Sequence, residues 1–399
     1  MSLPHLSRAA LAHAAWSLGS LAALVAPATA QDAGSTVFEA GRVWLAPGSE
    51  LEGADARFAV RDGKVVAVGD GISPDFAANA RIVSLGDATV VPGFVLAHHH
   101  LDQANDLAET IDAFTPHLRV DDAFDPFGEK LAELPHGGVT AVALAPVSRN
   151  TFAGQAALVR PGEERGSIAR TGIYLKLALV DESLDQDRYP TSRMGAADLM
   201  RAAFAEAANP LGLRTPETAT LRAALAGDLP VAVHARTLAE VTTALATLGE
   251  VGIQPVLLDV RDVDEILPRL RGSATTVVVP PLGFASKREL LELPARLEAE
   301  AIPFSFLADD GHAARRSAAL AIRHGLSPRT ALAALTRVPA TQCGVDDMVG
   351  SLTVGHAADF AVFDGDPTDL SSRLLAVHVG GQRIHGAADA GAAPEEETR

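Results

Sequence analysis

At 399 residues, 48% of them hydrophobic, the chain has material for a large buried core and little sign of disorder. Its formal net charge of -17, without any cluster of Lys and Arg, excludes nucleic acid as a partner, because phosphate recognition rests on concentrated positive charge. A single cysteine, Cys343, excludes an intramolecular disulfide and, with no activating base near it in sequence, reads as a packing residue.

Residues 1–30 read as a secretory signal peptide. Arg8 is the one charged residue before Asp32, an Ala- and Leu-rich stretch runs from Ala9 to Val25, and Ala28-Thr29-Ala30 offers a small-x-small cleavage site before Gln31. No later apolar run is long enough to span a bilayer, so the expected location is periplasmic or secreted, with no membrane span in the mature form. Short β-rich runs follow over 31–91, such as Thr36 to Ala40 and Lys64 to Val68, punctuated by Gly41, Gly63, Gly69 and Gly71. The same texture returns over 346–386, in Asp359 to Phe363 and Ala376 to Val379. Two β-rich ends predict one β-sandwich built from both termini around an inserted domain at 92–345. The acidic, Ala-rich stretch 387–399 is expected to be a disordered tail.

The middle alternates. Eight strand candidates follow one another: Gly93 to Ala97, Val139 to Pro146, Ala156 to Arg160, Ile173 to Val180, Leu229 to His234, Gln254 to Val260, Thr275 to Pro280 and Ile302 to Ala308. Helical patterns separate most of them, as in Ala196 to Ala208, Leu238 to Leu248, Lys287 to Ala301 and Ala313 to His324, although none divides Arg160 from Ile173. The pattern predicts an α/β fold, a (β/α)8 TIM barrel inserted in the sandwich. No Gly-x-Gly-x-x-Gly turn supports a dinucleotide fold, and no Gly-x-Ser-x-Gly elbow supports a serine nucleophile.

The first barrel strand carries the chemistry. Val90 to Leu96 is an apolar run with a Pro92-Gly93 step, ending in His98-His99-His100. Side chains alternate along a strand, so His98 and His100 share a face and can close on one cation, while His99 points away. A polar loop is the competing reading of three adjacent histidines. The stretch resembles the amidohydrolase superfamily, in particular its imidazolonepropionase-like and dipeptidase-like branch, whose first strand reads Pro-Gly-aliphatic-aliphatic-Asp-x-His-x-His; Leu96 stands at the Asp. Gly137-Gly138-Val139-Thr140, Gly154-Gln155, Ser192-Arg193-Met194-Gly195 and the closing Gly350-Ser351-Leu352 to Ala358-Asp359 are similar to further pieces of the same pattern.

The resemblance implies metal ligands at His98, His100 and His234, the last ending the fifth strand, and at Asp309 on the eighth, which would also be the catalytic base. Lys176 on the fourth strand is either a carboxylated lysine bridging two cations or an interior lysine paired with a carboxylate. Asp309 and Asp310 compete for the base, since one of them can cap the following helix. The sixth strand ends without the expected histidine; Asp259 there is either an oxygen ligand or part of a solvated turn. Arg236, Arg193 and His312 are candidates for binding substrate, the arginines equally readable as surface or capping charges. The cofactor implied is a divalent metal, Zn2+ foremost, one ion with a second left open. The function implied is hydrolysis of a carbon–nitrogen bond in a small amide, cyclic amide or short peptide by a metal-activated water. The rival reading is a catalytically silent relative serving as a binding or assembly module. Self-association is left open.

Overall fold

The computed structural model describes residues 34–261 and 263–386; the expected signal peptide and acidic tail lie outside them. No helix among the described residues is long and apolar enough to cross a membrane.

Both ends of the chain build two sheets. One orders its strands Lys64–Val68, Arg57–Arg61, Ser35–Glu39, Arg81–Ser84; the other runs Gln382–Gly386, Leu374–Val379, Phe360–Phe363, Thr89–Pro92, Arg42–Ala46, Ser49–Glu52. The join between the ends is backbone hydrogen bonding, with Ala361 opposite Val91 in an antiparallel pair. Alternate apolar residues supply a shared core, in which the rings of Phe38, Phe58 and Phe360 lie 4.9 to 5.3 Å apart beside Val43, Val90 and Val362. Gly93 then lets the chain pass close to its neighbour, because a Cβ there would run into the Thr140 side chain.

The central part rests on Phe94–His99, Val139–Leu144, Ala157–Arg160, Leu175–Ala178, Val231–His234, Val256–Leu258, Thr276–Val279 and Phe304–Phe306, numbered below as central strands one to eight. The first two pair in parallel, and the last five pair in parallel in sequence order. Helices Arg193–Ala208, Leu238–Gly249, Arg288–Ala299 and Gly311–Arg323 fall where the 3.6-residue pattern placed them. Successive strand residues face two cores. Leu177, Val233 and Val279 pack outward against Met200, Val241 and Leu297, whereas Tyr174, Ala232, Leu258 and Val278 join Val95, Ala97, Ala143 and Cys343 on the inner side. Cys343 is buried, and burial pushes its thiol well above the ordinary range.

The third strand corrects the expected all-parallel order. Phe152–Arg160 runs antiparallel to both neighbours, with Leu158 opposite Ala143 and Gly154 opposite Lys176. Connection length is the reason. A parallel return needs a crossover of roughly a dozen residues or more, whereas a short loop links Leu144 to Phe152, and Arg160 leads into the antiparallel strand Ser167–Arg170 instead of a helix. Among the described residues no strand pairing joins Phe304–Phe306 to Phe94–His99.

Candidate functional site

Unbroken alternation from Val95 and Ala97, which face the inner core, would carry His98 to the outer face beside Leu96. A β-bulge prevents this. The register slips between Leu96, opposite Val142, and His99, opposite Leu144, so strand one advances three residues against two. The extra residue returns His98 to the inner side, and the rings of His98 and His100 meet edge to face with centroids 4.9 Å apart. His99 points the other way: its Nδ1 accepts from the Leu101 N–H at 2.7 Å and its Nε2 donates to the Asp309 carbonyl at 3.1 Å.

Hydrogen bonds fix the tautomers. The Tyr174 hydroxyl donates to the Ala97 carbonyl at 3.2 Å and therefore accepts from Nδ1 of His98, 3.0 Å away. His98 thus turns the lone pair of Nε2 inward. His100 repeats the arrangement, its Nδ1 donating to the Ala145 carbonyl at 2.9 Å. Burial holds His98 well below the usual imidazole range, with Lys176 and the neighbouring rings adding to the effect, and the same leading cause sets His100 at about 3. Both rings are neutral acceptors.

Lys176 lies inside this group, fully buried, and desolvation lowers its amine well below the ordinary value. Its Nζ donates to the Pro146 carbonyl at 2.6 Å and stands 3.1 Å from Nε2 of His98. The interior lysine therefore pairs with a carbonyl and an imidazole, not with a carboxylate.

His234 is engaged at both nitrogens, Nδ1 with the Ser148 hydroxyl at 2.7 Å and Nε2 with Asp259 at 3.4 Å. Asp259 is no solvated turn: it is 3% exposed, on a backbone with a left-handed φ of 63°. Arg236 Nε reaches its Oδ2 at 2.7 Å and Arg261 Nη2 at 2.8 Å. Burial pushes Asp259 up, but the bonds from His234, Arg261 and Arg236 outweigh it and hold the carboxyl at about 2. Arg236 also pairs with Glu182 at 2.5 Å.

The remaining candidates make other contacts. Asp309 is exposed, its carbonyl held by His99. Asp310 caps helix Gly311–Arg323, its Oδ1 accepting from Ala313 N–H at 2.7 Å. Arg193 begins helix Arg193–Ala208 with its guanidinium 3.9 Å from Glu240. His312 is exposed and acts on His385, whose ring lies 4.4 Å from that of His136, so it belongs with the terminal strands and not with the inner imidazoles. A cavity of about 290 Å³ is lined by Phe114, Leu199, Leu213 and Glu206 among others, and by none of the residues above.

The Nε2 atoms of His98 and His100 are the donors oriented toward a cation, that of His98 now facing the Lys176 amine at 3.1 Å. Among the described residues, however, no three His, Cys, Asp or Glu side chains are assembled at metal-holding geometry. A third ligand requires Lys176 or His234 to exchange its present partners. Sequence reasoning missed Tyr174, Ser148, Arg261 and Glu182. Tyr174 was within reach, standing two residues before Lys176 and hence on its face; the others carry no signal outside the folded chain.

The pattern of the Amidohydro_3 amidohydrolase family matches residues 302–385. The amidohydrolase tasK of Hapsidospora irregularis is 24% identical over 349 residues, covering 72% of this chain, which spans 36% of that relative's length. The crystal structure of an amidohydrolase from Thermotoga maritima superposes with a TM-score of 0.76 at 26% identity, covering 88% of this chain and all of that one. These matches support the amidohydrolase superfamily. Phenylurea hydrolase B, at 15% identity and a TM-score of 0.56 over 88% of the chain, shares the fold.

Proposed function

We propose that the protein is an exported, metal-dependent hydrolase of a carbon–nitrogen bond in a small amide, cyclic amide or short peptide, of the imidazolonepropionase-like and dipeptidase-like kind. In this reading the central sheet is a (β/α)8 barrel with one reversed strand, and the terminal sheets are its sandwich. The observation that carries the function is the pairing of His98 and His100, both neutral, both presenting Nε2, beside a buried amine. A divalent cation, Zn2+ foremost, would be held by these rings, with Lys176, His234 and Asp309 completing the set, and would lower the pKa of a water to about 7. Asp309, after strand eight, would be the group to take a proton from the attacking water and return it to the leaving nitrogen. Tyr174 and the Ala145 carbonyl hold the two rings in their tautomer throughout. Arg193 and the exposed edge of the Arg236 cluster are the cationic groups available to a substrate carboxylate.

The clamped Asp259 favours a second reading, a catalytically silent binding or assembly protein. One experiment separates them. Zn2+-loaded protein is analysed for metal per chain and screened against dipeptides and lactams before and after chelation. Turnover lost on chelation and regained with Zn2+ supports the enzyme; bound metal with no turnover across the panel supports the silent relative.

A further inference from the structure

We propose that the cavity of about 290 Å³ beside helix Arg193–Ala208 is a binding site of its own, suited to a small organic ammonium ion with an apolar arm. It shares no residue with the histidine centre and is independent of the metal reading. Helical spacing makes one wall. Leu199, Ala203 and Glu206 stand at i, i+4 and i+7, so all three fall on one face of the helix and line the cavity together. Phe114 supplies an aromatic wall that is fixed from behind: its ring meets that of Phe152 edge to face with centroids 5.0 Å apart, and the Thr115 N–H donates to the Phe152 carbonyl at 3.1 Å. Leu213, 69% exposed, adds apolar surface for an occupant to cover. The volume is close to the lower end of the roughly 300–1,000 Å³ of small-molecule sites, which combine apolar walls with a few placed polar groups.

Those polar groups choose the charge. The ionisable side chains in the lining are Asp112, Glu206 and Glu217, all of them carboxylates. Local bonds orient them: Asp112 Oδ1 accepts from the Phe114 N–H at 2.8 Å, Glu206 Oε1 accepts from the Leu213 N–H at 2.8 Å, and Glu217 Oε1 stands 3.2 Å from Nδ1 of His117. Among the described residues no cation pairs with Asp112 or Glu206. The guanidinium of Arg222 comes to the same region but is committed to the Thr218 hydroxyl at 3.2 Å and to the carbonyls of Leu213 at 3.1 Å and Ala207 at 2.9 Å. Three carboxylates against that one guanidinium leave negative charge in surplus. A bare metal ion does not answer it, because among the described residues no three His, Cys, Asp or Glu side chains are assembled to hold one. A protonated amine on an aryl or alkyl arm answers both halves of the cavity: its N–H groups donate to carboxylate oxygens, and its arm takes the apolar walls out of water.

The test is calorimetric titration of the full chain with three probes: 2-phenylethylammonium; phenylacetate, which carries the same ring with the opposite charge; and ethylammonium, which carries the charge without the ring. The variant is Glu206→Gln combined with Glu217→Gln, whose amide oxygens still accept from Leu213 and His117. A control for overall charge is Glu289→Gln combined with Glu292→Gln, on helix Arg288–Ala299 and outside the cavity. Circular dichroism follows folding. Wild type and control are expected to bind 2-phenylethylammonium more tightly than either other probe, and the Glu206, Glu217 variant to bind it about tenfold more weakly, the loss that two partly exposed charge pairs supply. No binding of 2-phenylethylammonium, equal binding of phenylacetate or ethylammonium, or a folded variant that binds as tightly as the control would each overturn the proposal. Should the variant fail to fold, the three probes on wild type and on Asp112→Asn, with weaker ammonium binding expected in the latter, decide the matter.

Discussion

Replacing Tyr174 with Phe removes one oxygen and tests whether the hydroxyl sets the state of His98. The oxygen accepts from Nδ1 of His98 at 3.0 Å and donates to the Ala97 carbonyl at 3.2 Å, at a residue that is 1% exposed. Phe fills the same space, so the loss is polar: a buried N–H and a buried carbonyl are left without partners. Each costs ~1–3 kcal/mol, and the pair together roughly 2–6 kcal/mol. With the acceptor gone, the proton of His98 is free to move to Nε2, where it faces the amine of Lys176 and blocks the lone pair a metal needs. Losing such an outer partner lowers metal affinity by about 10- to 100-fold. Urea denaturation of the metal-free variant measures the first quantity, and competition for Zn2+ against a chromophoric chelator the second. Weakened stability with unchanged zinc affinity would refute the reasoning, because the hydroxyl would then support packing and not the tautomer.

Other expectations follow from the same geometry. His98→Ala combined with His100→Ala should abolish metal uptake with little change in circular dichroism, since burial of strands and helices holds the fold; full metal occupancy would refute the central assignment. Asp309→Asn should stop turnover and leave most of the metal bound, as read by steady-state rates beside metal analysis. In the metal-free chain, burial depresses His98, His99, His100 and His234 below 6.5. The unfolded chain therefore binds protons that the folded chain refuses, and stability falls as pH drops below 6.5. Each ring contributes a slope of about 1.4 kcal/mol per pH unit, in the case of His100 down to its folded value of about 3. Thermal midpoints between pH 7.5 and 5 check this, and His100→Gln should flatten the curve. Protein exported from a bacterial host should begin at Gln31, which N-terminal sequencing reads; an intact Met1 would exclude the signal peptide.

Periodicity made most of the fold legible, because burial selects apolar residues at every second strand position and every third or fourth helical one. Val231 to His234 and Leu238 to Gly249 sit where that rule puts them. Direction was not legible for Phe152–Arg160: its composition suits any strand, and only the absence of a helix before Ile173 hinted that it would run backward. The bulge before His99 left no trace either, since a single extra residue changes neither composition nor pattern, yet it decides which face His98 takes. At the site, ligand types could be read from the histidines, whereas the partners that tune them could not. Ser148 and Glu182 approach His234 and Arg236 from more than fifty positions away in the chain.

The middle histidine of the three bears on how the two ends of the central sheet stay fastened. Where strand eight comes round to strand one without a backbone ladder, the outward ring of His99 stitches the seam, and it does so through a main-chain oxygen of residue 309. A stitch to a carbonyl is blind to the side chain that residue carries. The chain can therefore exchange the carboxylate at 309 for other groups without losing this bond, whereas a change at His99 removes it.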